Sequence, residues 1–415
     1  MGSIGTIKEG SANFRALEGV TLLDLAFGQK YDTFRQALRQ FIEENRHLAP
    51  TAGGENLEKA RAWQRLLIEN GYAARTIPKE YGGAGLDPDI LESRIIAEEF
   101  ARAQVSPGMG GGGISFLAPV LLEKGTEELK KRFIAPTIRG EMLWCQGYSE
   151  PNAGSDLASL STRAVLDGDE WVINGQKIWT SGAKTSDWMF CLVRTEPDAP
   201  KHRGISFLLL SMDSPGLDVR PLKTMTGVPF FNEVFYTDVR VPKDQIIGNR
   251  GEGWAIANAI LRHERDSLGD PNVTLSRLNA LTELMKQETV DGQRIIDNPV
   301  YRDQLMQLQG RVMALRFNDL RLLSANLNGQ DAALATMIVK LQGTELRHAL
   351  EGLAIDALGE HGRLYEDGPY LRDHGSWQHD YMQFLGLIIG GGTNQIQKNI
   401  ISERGLGMPR EPKTK

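Results

Sequence analysis

The sequence predicts an α+β protein built in three parts: a helical N-terminal region, a small β-barrel or sandwich, and a C-terminal helical bundle. Three observations carry this. Apolar residues recur every three or four positions up to about residue 140. From about 141 to 248 the pattern shortens to alternating runs broken by turn residues. From Gly251 onward the helical period returns over segments long enough for a bundle. The expected division is 1–140, 141–250 and 251–415.

The first part contains four amphipathic segments, at 31–48, 56–71, 87–104 and 126–140. The glycine- and proline-rich stretches YGGAGLDP (81–88) and SPGMGGGG (106–113) join them. The second lacks a preceding strand and a Lys-Ser/Thr ending, so it reads as a connection rather than a phosphate loop. In the middle part, STRAVLDGDEWVING places Asp167-Gly168 between alternating segments, which predicts a hairpin. DWMFCLVRT, GISFLLLSM and NEVFYTDVRVP are further strands rich in β-branched and aromatic residues.

Composition narrows the function. The chain has 415 residues, 41% of them hydrophobic, and a net charge of −6, so a basic surface for nucleic acid is not expected. Cys145 and Cys191 are the two cysteines, too few for a disulfide framework or a multi-cysteine zinc site, and they fit a reducing, cytoplasmic compartment. The seven histidines show no metal-ligand spacing. No apolar run approaches a membrane span, and MGSIGTIKEG does not read as a secretory signal. Gly2 and Thr6 match the loose myristoylation pattern, but an ordinary start is the better reading.

Four segments could carry chemistry. WCQGYSEPNAGSD (144–156) groups hydroxyls around a tight turn. INGQKIWTSG (173–182) sets Trp179 beside Thr180 and Ser181, which suits a large planar ring. GGGTNQIQ (390–397) leads three glycines into a helix, where backbone N–H groups can approach an anion. In WAIANAILRHERDSL, Trp254, Ala257, Ile260, Leu261 and Leu268 form one apolar stripe, and Glu264 falls on it. A carboxylate among core positions is costly unless paired or used, and burial would raise its pKa towards that of a general base. Pairing with Arg262, His263 or Arg265 at the bundle rim is the competing explanation.

These four segments, in this order, resemble the acyl-CoA dehydrogenase superfamily from roughly residue 30 to 410. YSEPNAGSD and INGQKIWTSG resemble its two flavin-binding signatures, GGTNQIQKNIISERGLGMPR its C-terminal signature, and VRVPKDQIIGNRGEGW its linker into the bundle. The resemblance implies a C-terminal four-helix bundle, bound FAD, and α,β-dehydrogenation of an acyl-CoA thioester. It implies that Gln146, Tyr148 and Ser149 contact the flavin ring, partly through backbone. Trp179 would flank the ring, and Ser181 would donate near its N5. Gly392, Thr393 and Gln395 would hold the pyrophosphate and ribose, and Ser155 would face the CoA arm.

Many members carry the catalytic glutamate just before the Gly-Thr of the C-terminal signature. Here that position is Gly391. A subset, resembling isovaleryl-CoA and long-chain acyl-CoA dehydrogenases, places the base on the first bundle helix. Aligned through LRHER, that position is Glu264, with Arg265 positioning the helix. The family's Arg-x-x-Phe-Gly segment is missing, KQETVDGQRIIDNPVYRDQ standing in its place, and DALGEHG replaces the usual FAD-contacting turn. This pattern resembles bacterial members acting on bulky acyl-CoAs, including steroid side-chain enzymes. It implies a homodimer, a homotetramer, or a heterotetramer with a related subunit, and electron-transferring flavoprotein as acceptor. A monooxygenase or nitroalkane-oxidase-like enzyme on this fold, or a subunit that only completes a partner's FAD site, fits Glu264 and Ser155 less well.

Overall fold

The computed structural model describes residues 28–51, 56–330, 333–365 and 368–410; side chains at 263–268, 333 and 334 also lie outside the described set, as does the N-terminal Gly2–Thr6 pattern. The first part holds α1 (Gln29–Asn45), α2 (Leu57–Glu69), α3 (Ile90–Ala103), α4 (Ala118–Lys124) and α5 (Glu127–Ile138). Side chains start three of them. Asn56 accepts from the Lys59 amide, Asp89 from the Leu91 and Glu92 amides, and Thr126 from the Leu129 amide. The short α4 is too brief for its period to show in the sequence.

Leu38, Ile42, Trp63, Leu67, Ile95 and Phe100 form the core where α1, α2 and α3 meet. Across α1 and α3, the Glu99 carboxylate, 1% exposed, accepts from Arg35, Arg39 and Arg102 at 2.6–2.8 Å. Burial pushes this carboxyl up, but the three guanidinium groups outweigh it and bring it down to about 2.

The middle part is one mixed sheet: β1 (Trp144–Gly147), β2 (Arg163–Asp167), β3 (Glu170–Lys177), β4 (Trp188–Arg194), β5 (Ile205–Ser211), β6 (Leu217–Leu222), β7 (Phe231–Pro242) and β8 (Ile246–Ile247). The order is β6-β7-β3-β2-β4-β5-β8, with β1 beside β4. The expected hairpin is present, with Asp167 opposite Glu170 and Gly168 at φ 61° in the turn. β7 and β4 are three steps apart in this order, about 14 Å on a flat sheet. Yet Tyr236 Oη on β7 lies 2.9 Å from Met189 Sδ and 3.8 Å from Cys191 Sγ on β4. The sheet therefore curls around its own core of Ile173, Cys191, Leu208, Val234 and Val239.

The C-terminal part begins with α6 (Gly253–Leu268), α7 (Pro271–Gln287), α8 (Pro299–Leu327) and α9 (Ala333–Leu358). α9 packs on the other three, and α10 (Ser376–Ile389) and α11 (Asn394–Ile400) pack on α9. Leu281, Met285, Val312, Leu346, Leu350 and Trp377 form the bundle core. Between α7 and α8, in place of the missing Arg-x-x-Phe-Gly, β9 (Thr289–Val290) and β10 (Gln293–Arg294) make a tight hairpin turning at Asp291 and Gly292. α6 also leans on the rest of the chain: Ile256, Ala257 and Ile260 join a cluster with Leu121, Phe133, Phe190 and Phe207.

Candidate active site

The two middle-domain segments are brought together by a buried ion pair. Lys177 Nζ, fully buried, donates to Glu150 Oε1 at 2.9 Å and to the Tyr148 carbonyl at 3.0 Å. Glu150 also accepts from the Thr162 amide at 2.9 Å and from the Ser161 amide and hydroxyl at 2.6 and 2.8 Å. Next to it, the Ile178 amide donates to the Ser149 carbonyl at 2.9 Å. The turn after β1 is thus fastened to the end of β3. Burial pushes the Glu150 carboxyl up, but Lys177 and these donors bring it down to about 2.

A carboxyl held below its unfolded value stabilises the fold above the unfolded pKa, and that contribution fades as pH falls towards the folded one. For Glu150 and Glu99 the window runs from 4.5 down to about 2, each contributing about 3 kcal/mol at neutral pH. Acid unfolding followed by circular dichroism should therefore steepen below about pH 4.5, and Glu99→Gln should flatten it.

Beyond Lys177 the chain enters an unusual conformation. Trp179 has φ 62°, a left-handed value that a bulky side chain rarely adopts, and its indole is 58% exposed. Its edge meets Phe231 at 5.8 Å between centroids. Thr180 and Asn232 exchange both backbone hydrogen bonds at 3.0 Å, and Asn232 Nδ2 also donates to the Thr180 carbonyl. Both residues are buried, yet Thr180 Oγ1 and Asn232 Oδ1 have no hydrogen-bond partner. Ser181 follows, exposed. Met225, Val228 and Phe230 add exposed apolar surface on the loop before β7. From the bundle, the Tyr365 hydroxyl donates to the Thr226 carbonyl in that loop.

The sequence-expected residues take different roles here. The Tyr148 ring is buried edge-on against Phe190 and Phe207, so this residue can offer a ligand only its backbone. Gln146 is half-buried on β1. Ser149 is half-buried, and Ser155 is exposed on the turn that Asp156 fastens to Lys201.

The glycine-to-helix junction forms a second cluster on the bundle. Gly391 and Gly392 have φ 63° and 91°, and Thr393 Oγ1 accepts from the Ile396 amide at 3.1 Å to cap α11. Gln397 Nε2 donates to the Gly391 carbonyl at 3.3 Å, and Gln395 is exposed. Beneath lies Lys340 of α9, 2% exposed, a residue that sequence reasoning missed. Its one sequence signal is a lone cation inside the apolar run TMIVKLQG.

Glu264 and Arg265 lie on α6, whose backbone continues helically through both positions; their side chains are outside the described residues. The stripe leading to position 264 is buried at Ala257 and Ile260. Past it, Gly269 packs so closely on α9 that an added Cβ would sit 2.4 Å from Val339 Cγ1, and one on Gly343 would sit 2.8 Å from Gly269 Cα. Another bundle carboxyl, Glu351, is pushed up to about 7 by burial against the pull of Arg277. Both its oxygens are taken by Arg277, at 2.5 and 2.6 Å, and that guanidinium lies 3.6 Å from the Trp377 ring centroid. Glu351 is a bundle anchor rather than a free base.

A planar, hydrogen-bonding cofactor fits the first cluster. A strained, exposed indole offers a flat apolar wall, and Thr180 and Asn232 keep unmatched polar atoms beside it. Among the described residues no cluster of His, Cys, Asp and Glu could hold a metal ion.

Comparison with known proteins gives the family. Residues 29–141, 145–239 and 251–406 match the N-terminal, middle and C-terminal domains of acyl-CoA dehydrogenase. The chain is 40% identical to acyl-CoA dehydrogenase IpdE1 of Mycobacterium tuberculosis over 402 residues, covering 93% of this chain and all of that one. It is 35% identical to acyl-CoA dehydrogenase FadE26 of the same organism, covering 82% and 86%. The ChsE4-ChsE5 complex of Mycobacterium tuberculosis superimposes with a TM-score of 0.77 at 31% identity, covering 93% of this chain and all of the other. A structure described as the Tcur3481-Tcur3483 steroid ACAD gives 0.77 at 30%, covering 94% and all of it. The chain belongs to the acyl-CoA dehydrogenase family of flavin-dependent oxidoreductases. No helix among the described residues is long and apolar enough to cross a membrane.

Proposed function

We propose that this chain oxidises a bulky or branched acyl-CoA between its α and β carbons, with Glu264 as the base and FAD as the flavin. The observation that carries the reading is a paired one: Gly391 stands where many members have their glutamate, and the bundle's first helix carries Glu264 one turn past a buried Ile260. FAD, when bound, would supply the two-electron acceptor for the hydrogen lost from the β carbon.

This chain's own residues do the rest. Glu264 takes the α-proton, one turn along α6 from the buried Ile260. Arg265 sets the helix. Gln146, Ser149 and the Tyr148 backbone would hold the ring, Trp179 would flank it, and Ser181 would donate to it. Gly392, Thr393 and Gln395 would hold the pyrophosphate and ribose, and Ser155 would receive the CoA arm. The small side chains at 390–392, and the likeness to a structure described as a steroid ACAD, support a bulky acyl group. Division at about residues 140 and 250 and a cytoplasmic location belong to the same reading.

A partner chain is part of the proposal: this chain works as a homodimer, a homotetramer or a heterotetramer with a related subunit, and passes electrons to an electron-transferring flavoprotein. α8 supports it. One face, Leu305, Leu308, Val312 and Leu315, is buried in the bundle. The opposite face carries Met306, Met313 and Phe317, and Met306 and Phe317 are each at least half exposed. The ChsE4-ChsE5 neighbour is itself described as a complex.

Two measurements check the proposal. Turnover of a panel of acyl-CoAs with a dye acceptor should favour bulky or branched chains; activity confined to short straight chains would reject that substrate class. Flavin content and sedimentation of the chain purified alone should show a yellow oligomer if the FAD site is self-sufficient. A colourless chain that gains flavin only when co-expressed with a related subunit would establish the heterotetramer.

A further inference from the structure

Lys340 is a buried cation that the proposed chemistry does not use. Taking an ammonium out of water is costly unless each of its hydrogens finds an acceptor. Lys340 Nζ donates to the Gly392 carbonyl at 2.8 Å, and to the Ile388 carbonyl and Asn394 Oδ1 at 3.2 Å each. These acceptors span the end of α10, the glycine turn and the first residue of α11. Asn394 Nδ2 in turn donates to Glu345 Oε1 on α9 at 3.2 Å. On the same stretch of α9, from Val339 to Gly343, Gly269 at the end of α6 packs with no room for a Cβ. One turn of one helix thus seats both the glycine junction and the end of the helix that carries position 264.

We propose that Lys340 is a positioning residue for dehydrogenation: its ammonium clamps the Gly390–Thr393 junction onto α9 and fixes it relative to the end of α6. This rests on the reading of Glu264 as base and of the junction as a cofactor contact. The glycines make a clamp necessary. Gly391 and Gly392 sit at positive φ, where glycine has many alternatives, and the Gln397 side chain holds the turn from one side by a 3.3 Å bond to the Gly391 carbonyl, so Lys340 supplies the charged contact from α9. A charge-assisted bond to a carbonyl is stronger than a neutral one, and it removes that freedom.

The test compares wild type, Lys340→Met and Lys340→Arg as full-length protein. Hydrogen–deuterium exchange over 390–397 is read with that over α8 as an internal control, followed by flavin content and by kcat and KM of the flavin-loaded fraction. In Lys340→Met, exchange over 390–397 should quicken by about tenfold or more while α8 stays as in wild type. Flavin content and kcat should fall with KM for acyl-CoA nearly unchanged, and Lys340→Arg should recover part of each. A folded Lys340→Met with wild-type exchange at 390–397 overturns the proposal. Where that variant does not fold, Asn394→Ala, which removes one of the three Lys340 acceptors together with the Glu345 contact and leaves the Gly392 carbonyl in place, is read in the same way with a smaller expected change. Turnover retained in Glu264→Gln would defeat the base assignment and leave the exchange result standing, so the two failures are distinguishable.

Discussion

Lys177→Met is expected to destabilise the protein by about 3–5 kcal/mol and to release the flavin. Lys177 is fully buried and Glu150 nearly so, and neither has water to fall back on. Removing the cation leaves the Glu150 carboxylate held by the Ser161 and Thr162 donors alone. It also frees the Tyr148 carbonyl, which Lys177 fastens to the end of β3. The turn carrying Ser149 then loses its register against Trp179. Denaturant unfolding measures the stability loss, and visible absorbance of the purified variant measures the flavin. Pairing the change with Glu150→Gln should restore part of the stability, because the unpaired buried charge is gone. A Lys177→Met variant as stable as wild type would mean that the pair does not organise this turn.

Glu264→Gln is expected to lower kcat by about 10²–10⁴-fold while leaving flavin content and KM close to wild type. Glutamine keeps the size of the side chain and can still hydrogen-bond, so what is lost is the ability to accept a proton. The pH profile gives a second readout: the wild-type rate should fall at acid pH as the base protonates, and the residual rate of the variant should not follow that limb. Equal loss of activity and of flavin would instead assign Glu264 to cofactor binding.

Much of this architecture was readable from local patterns. The change from helical to alternating period at about residue 141 reflects the different face each element buries. The Asp167–Glu170 hairpin follows from a glycine in the turn. What was hidden depends on contacts distant in sequence. Lys177 and Glu150 both stand inside recognisable segments, but nothing at either position says that they pair across 27 residues. Lys340 meets its acceptors 48 to 54 residues away. The curl of the sheet shows only when Tyr236 reaches Met189. β6 alternates only from Leu217 to Arg220 before Pro221 interrupts it, too short a run to mark a strand by its pattern.

The proposed dehydrogenation turns on where the α-proton goes, and the reductive half-reaction measures that directly. Flavin-loaded wild type and Glu264→Gln are mixed anaerobically with one bulky acyl-CoA, and the visible flavin band is followed in time. Prompt bleaching in wild type and none in the variant on the same timescale is the predicted result; bleaching at the wild-type rate in Glu264→Gln would contradict it.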